Sequence, residues 1–220
     1  MRNFIVAAIV ASAAMGCVSV PKQAVSDQAA AGWRGKTVVL TERPRAGFVA
    51  MTAGKGAFAL IGAAAAIESG KTIVEENGIE DPAPHVGVEF LHMAEARYGV
   101  VPSTLAPVKI DTTDPKQLSK AASGADLLLD VQSLGANFNY FPTQWGHYWV
   151  GSGLVVRVID VHTGQVLGGG SCHRDTRKDA NPPTKDDLLA NKAELLKTIL
   201  ATQRDSCRDE LASKLLPTQT

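Results

Sequence analysis

The feature that most constrains this chain is the run from Gly153 to Val161, a near-continuous β segment broken only by Arg157 and Asp160. Thr163-Gly164 supplies a turn after it, and Gln165 to His173 reads as the returning strand. Ala125 to Leu134 alternates, with Leu127, Leu129 and Val131 on one face and Asp130 and Gln132 on the other. Lys36 to Thr41 is a further β-branched strand, interrupted by Arg43 to Gly47, and Val100-Val101 and Pro107 to Ile110 read as extended. Between and after these segments the period changes to that of helices. Ala57 to Glu76 stops at Asn77-Gly78, Asp81-Pro82 opens a helix closed by Gly99, and Asp114-Pro115 caps a short one that Gly124 ends. After Pro182-Pro183, Thr184 caps a long last helix with Asp187 at its third position. Leu189, Leu196, Leu200, Cys207 and Leu211 form the apolar stripe of that helix. A sheet with helices before, between and after its strands predicts an α/β fold, one mixed sheet packed with helices in a single domain over residues 36–216.

Composition narrows the function classes. The 220 residues carry 22 basic and 22 acidic groups and are 45% hydrophobic. That is too apolar for general disorder. Zero net charge without a basic stripe argues against a nucleic-acid binder. The sequence lacks the 18-residue apolar run that a mature transmembrane helix requires.

The first residues look like a targeting segment. Met1-Arg2-Asn3 carries one positive charge, and Phe4 to Ala14 is apolar apart from Ser12. Ala14-Met15-Gly16-Cys17 follows, and it resembles the bacterial lipobox, with Ala14 where that motif usually has leucine. The resemblance implies a signal peptide over residues 1–16 and a lipid anchor on Cys17. Val18 and Ser19 lack the aspartate that marks inner-membrane retention, which implies the periplasmic face of the outer membrane. Two alternatives stay open: ordinary signal-peptidase cleavage after Ala11-Ser12-Ala13, and a buried N-terminal helix. Val18 to Gly35 is rich in Ala, Gln and Ser and has no period. It is expected to be a tether, with the lipidated cysteine occupying residues 17–35, whose coil would span roughly 25 Å.

Gly124-Ala125-Asp126 before the strand, and the hairpin Leu154 to Val161 followed by His162-Thr163-Gly164-Gln165-Val166-Leu167, resemble another group. They are similar to the periplasmic domains of curli-secretion-type and penicillin-binding-protein-activator lipoproteins. That resemblance covers roughly residues 105–215. It implies an anticodon-binding-like sandwich that works without catalysis, through contact with other envelope proteins. No long amphipathic segment of the kind that builds a membrane channel is present.

The densest candidate for a contact surface is Asn137 to Trp149, which holds half of the chain's aromatic side chains: Phe138, Tyr140, Phe141, Trp145, Tyr148 and Trp149. At a connection between strands, rigid rings suit a protein partner, a glycan such as peptidoglycan, or a lipid interface. They could equally tuck inward and cover a sheet edge. A glycan module would stack sugars on Tyr140, Trp145 and Trp149. Cys172 and Cys207 form an even pair once Cys17 is acylated, and an oxidising compartment favours a disulfide between them. The alternative is two separate buried thiols.

Other motifs point less far. His85, Glu89 and His92 share one helix face, a residue set able to hold zinc, but no ligand from another element is evident and a solvated polar face is expected instead. Gly70-Lys71-Thr72 imitates a phosphate-binding loop, but the first glycine is missing and a helix precedes it, so no nucleotide site is expected. Ala57 to Ile67 carries no polar side chain and is expected to be a tightly packed core helix rather than a membrane-inserting one. Gly168-Gly169-Gly170 marks a bulge or a close helix approach. No nucleophile stands at readable spacing from a base, so no enzyme and no cofactor is expected. Asp126, Asp130 and Asp160 are expected to face solvent or a turn.

Overall fold

The computed structural model describes residues 22–216. Cys17 and the targeting-like segment lie outside the described residues. The elements in order are α1 (Asp27–Ala31), β1 (Thr37–Glu42), β2 (Phe48–Met51), α2 (Ala53–Gly56), α3 (Ala59–Asn77), α4 (Pro82–Tyr98), β3 (Val101–Pro102), β4 (Val108–Lys109), α5 (Pro115–Ala121), β5 (Leu127–Phe141), β6 (Gln144–Asp160), β7 (Val166–Asp175) and α6 (Lys185–Leu215). This is the α/β architecture, with one mixed sheet in the order β3-β1-β5-β6-β7. β4 pairs with β1 beyond β3, and β2 pairs in parallel with the upper part of β5.

Local chemistry sets the helix ends. Asp81 accepts from the Ala83 amide at 3.0 Å, Pro82 supplies a preset φ, and Gly99 closes α4 at φ 68°. Thr184 and Asp187 exchange side-chain and backbone bonds in a full capping box at the start of α6. That last helix is not continuous. Ala190 to Ala193 leave helical geometry, and α6 continues beyond them in a new direction.

The two faces of the sheet carry different cover. On one, Leu127, Leu129, Val131, Leu154, Val156, Val158 and Cys172 pack against α4 and the C-terminal half of α6. Higher on the same face, Phe138, Tyr148 and Val150 pack against Phe48, Val74 of α3, and Leu188 and Leu196 of α6. The opposite face is covered at its lower end by α5, through Leu118 and Ala122 on Val39, Leu128 and Ile159. Cys172 and Cys207 are joined, with Cα atoms 5.4 Å apart, and tie β7 to α6 across the first face.

Three expectations are corrected. From Lys22 onward the expected tether is part of the domain. Gln23 exchanges both backbone bonds with Gly169 (3.0 and 2.8 Å), and Val25, Ala30 and Trp33 are buried. Trp33 meets Tyr98 edge to face at 5.2 Å, which an unstructured leash could not offer. The Gly168–Gly170 run makes this docking possible, because a Cβ on Gly168 would stand 2.7 Å from Val25 and one on Gly170 would stand 3.1 Å from Leu211.

The second correction concerns Asp130, which is fully buried rather than solvated. It lies opposite Arg157 in the β5–β6 register. Its Oδ2 accepts from Arg157 Nε at 2.8 Å and Nη2 at 2.5 Å. Its Oδ1 accepts from Arg43 Nε at 2.7 Å and Thr41 Oγ1 at 2.9 Å. Arg43 Nη2 stands 2.7 Å from Oδ1 but off line for a hydrogen bond. The two guanidiniums also donate to the carbonyls of Thr112 and Thr113, clasping the segment before α5. Alternation alone assigned this face to solvent; the compensating arginines reverse that assignment.

The third correction concerns Ala57 to Ile67. Of its described side chains, Ala66 is buried, while Phe58, Leu60, Ile61 and Ile67 are exposed. It is not a core helix. The close contact comes lower on α3, where a Cβ on Gly70 would stand 1.8 Å from the Phe48 carbonyl oxygen.

Candidate functional site

The aromatic segment is not a loop between strands but the upper half of the β5–β6 hairpin. The register runs Phe138↔Val150, Asn139↔Trp149, Tyr140↔Tyr148 and Phe141↔Gln144, leaving Pro142-Thr143 as the turn. A register shift between Ser133 and Ala136 precedes it, where Gly135 adopts φ 95°. Period-two alternation then divides the rings between the two faces.

Phe138 and Tyr148 turn inward, meet edge to face at 5.4 Å, and belong to the core. Tyr140 also turns that way and packs against α2, since a Cβ on Gly56 would stand 2.5 Å from its hydroxyl. These three are withdrawn as contact residues. On the opposite face lie Asn137, Asn139 and Trp149, above the area that α5 covers. Arg177 sits over the Trp149 ring at 4.9 Å and is held by Asp175 at 2.5 Å. Asn139 donates to Asn137 at 2.9 Å. A Cβ on Gly151 would meet the Trp149 ring at 3.0 Å and the Asn137 amide oxygen at 3.5 Å, so the glycine lets ring and amide lie close to the sheet. Val49 and Met51 of β2, both half-buried, continue this face through their pairs Asn137 and Asn139. At the tip, Trp145 is 69% exposed, with Nε1 donating to the Pro142 carbonyl at 2.7 Å. Phe141 is half-buried. What remains is a surface of Phe141, Trp145 and Trp149 flanked by a cation and two amides. Arg177 and the Asn137–Asn139 pair were not singled out from sequence; the two-residue spacing of Asn137, Asn139 and Phe141 was the available signal.

Among the remaining candidates, His92 is exposed on α4, and the others engage structural partners. Glu89 lies 3.4 Å from His85 Nε2, but it also accepts from Arg208 Nη1 at 3.1 Å through each of its oxygens. Among the described residues no three His, Cys, Asp or Glu side chains converge as a metal set. Asp126 accepts from the Thr37 amide and hydroxyl, both at 2.8 Å, and lies 3.2 Å from His162 Nε2. The Thr37 bonds, followed by that of His162, hold its carboxyl down at about 2. Asp160 accepts from the Thr163 amide and hydroxyl in the β6–β7 turn. All three strand carboxylates are therefore occupied in holding strands and turns. A cleft of about 530 Å³, counting its open mouth, separates the two core regions beside the sheet irregularity, between Arg45, Asp81, Ser133, Leu200 and Arg204. Asp81 within it is already engaged by Ser133 Oγ and the Ala83 amide. Among the described residues no helix is long and apolar enough to cross a membrane.

No family model matches the chain, and no curated protein matches it. Similar solved structures include the PelC dodecamer from Paraburkholderia phytofirmans, at 12% identity over 83% of this chain and 89% of that one, with a TM-score of 0.37. The lipoprotein GNA1162 from Neisseria meningitidis is 10% identical over 78% of this chain and 99% of that one, with a TM-score of 0.27. The LpoB C-terminal domain from Escherichia coli is 16% identical over 64% and 84%, with a TM-score of 0.21.

Proposed function

We propose that this protein is a lipid-anchored envelope lipoprotein, held through Cys17 at the periplasmic face of the outer membrane, that acts by binding another envelope protein. Its role is assembly, export or control of peptidoglycan synthesis, without catalysis. The carrying observation is the upper sheet face, where Trp149 with its stacked Arg177, and Phe141 and Trp145 at the tip, stand beyond the cover of α5. A rigid ring paired with a guanidinium is the residue chemistry that dominates protein interfaces. The non-catalytic reading is supported by the strand carboxylates, each of which is engaged in strand or turn contacts. Lipidation is supported by the sequence around Cys17 and tested by mass spectrometry of the mature N-terminus, where a free, unacylated terminus would reject it.

The contact surface is tested by crosslinking in intact cells. A heterologous crosslinked species should form with the parent and fall at least tenfold with Trp145→Ala combined with Trp149→Ala. Unchanged capture retires the surface. The pairing of Trp149 with the Asn137 and Asn139 amides favours a second reading, a glycan platform, since stacking plus amide bonding suits sugar rings. Sedimentation with purified peptidoglycan separates the two: pelleting without other proteins favours the glycan.

A further inference from the structure

The first turns of α3 pose a physical problem that the proposed surface does not absorb. Phe58, Leu60, Ile61 and Ile67 are 69, 87, 79 and 56% exposed, and no charged residue falls between Lys55 and Glu68. At about 100° per residue, Leu60 and Ile67 lie on one flank and Ile61 on the outward side, with the exposed Ala64 and Ala65 completing the arc. Gly62 and Ala66 face inward. Over residues 58–67 the exposed arc is therefore apolar, up to the exposed Glu68 that follows it on the same side, and it is wider than the stripe an ordinary surface helix buries. A convex apolar arc of this kind fits a fluid that closes around it better than a rigid flat surface, which covers one side.

Cations stand at its base. Ala50, Thr52, Lys55, Ser69, Thr72 and Lys185 line a cavity of about 520 Å³, including its mouth, between α2, α3 and the start of α6. Lys55 Nζ is held by Ser69 Oγ at 2.6 Å and the Ala50 carbonyl at 3.2 Å. Burial and then the like charge of Lys185 push its pKa down, as expected where two ammonium groups face one space. Two ammoniums among hydroxyls suit a phosphate oxyanion.

The location agrees. Met51 pairs with Asn139, so α2 starts beside the hairpin tip where Trp145 is exposed. The tether is also short. With Gln23 fixed to Gly169, the six residues from Cys17 reach at most about 20 Å. An acylated Cys17 thus keeps the domain close to the bilayer.

We propose that the apolar start of α3 inserts into an anionic lipid surface, with Lys55 and Lys185 receiving the headgroup phosphate. The inference rests on the lipoprotein reading only for the domain's proximity to a membrane, and it is tested without the acyl chain. Residues 17–220 carrying Cys17→Ser are floated with vesicles of phosphatidylethanolamine and phosphatidylglycerol, and with vesicles of phosphatidylcholine alone. The protein should float with the anionic vesicles. Leu60→Glu with Ile61→Glu, both at exposed positions, should lower that partition more than tenfold without shifting the melting temperature by more than a degree or two. Lys185→Glu should lower it severalfold on anionic vesicles and leave it little changed on neutral ones. A parent that stays soluble with both compositions overturns the proposal, as do variants that float like the parent. Self-association that the Leu60 and Ile61 changes abolish, without flotation, assigns the helix to a second copy instead. Competition by inorganic phosphate at matched ionic strength, with the Leu60 and Ile61 variant binding normally, assigns the lysines to a free anion and overturns lipid docking. Failure here leaves Cys17 acylation, read by mass spectrometry, untouched.

Discussion

Replacing Asp130 by asparagine removes the carboxylate that lies between the Arg43 and Arg157 guanidiniums. The carboxylate is wholly buried and the Arg43 and Arg157 side chains are each 3% exposed, so water cannot replace what is lost. The amide keeps the volume and one acceptor oxygen, but it leaves two buried cations without a counter-charge and aims an NH₂ at one of them. Taking one member from a buried ion group costs about 3–5 kcal/mol, chiefly from the uncompensated charge left behind. For a domain of this size each kcal/mol moves the midpoint by about 2–4 °C, which predicts a fall of roughly 6–20 °C. Equilibrium urea unfolding measures the free energy and calorimetry the midpoint. Because the same arginines hold the Thr112 and Thr113 carbonyls, amide exchange should rise first in residues 108–114. A triple change, Asp130→Leu with Arg43→Met and Arg157→Met, removes the charges together and should recover most of the loss. A loss below about 1 kcal/mol for Asp130→Asn, or a triple variant as unstable as the single one, would refute the reasoning.

Reducing Cys172–Cys207 frees a 35-residue separation and should cost about 3–4 kcal/mol on the chain-entropy model, read as a lower urea midpoint; a shift under 1 kcal/mol contradicts it. Gly70→Ala drives a Cβ into the Phe48 carbonyl and should cost more than about 3 kcal/mol, whereas Gly54→Ala, with open space around it, should be neutral or slightly stabilising by thermal melt. Asp126 has its folded pKa depressed to about 2, so its contribution is fully present above its ordinary value near 3.8 and fades as pH falls toward 2. After allowance for partial exposure this is about 1 kcal/mol, and Asp126→Asn should flatten the stability profile between pH 4 and 2; an unchanged slope counts against it.

What could be read before folding was local. Asp81-Pro82 with Gly99, and Thr184 with Asp187, announce helix ends because the groups they satisfy lie within a few residues. The Val-rich β6 run and its Thr163-Gly164 turn announce a hairpin for the same reason. The four residues of β2 escaped notice because their pairing depends on β5, nearly ninety positions later. The aromatic cluster was visible as a cluster, but the division between core and surface depended on strand parity after the register shift at Ser133.

The amino-acid order by itself determined the α/β class, the helix caps, the resemblance around Cys17, and the concentration of rings near residue 140. Tertiary structure alone decided that the chain from Lys22 is part of the domain, that Asp130 lies buried between Arg43 and Arg157, and that the apolar start of α3 stays uncovered. The physical reason is range. Caps and periodicity are settled by neighbours in sequence, whereas the burial of a charge or of a leucine depends on groups 27, 87 or more residues away.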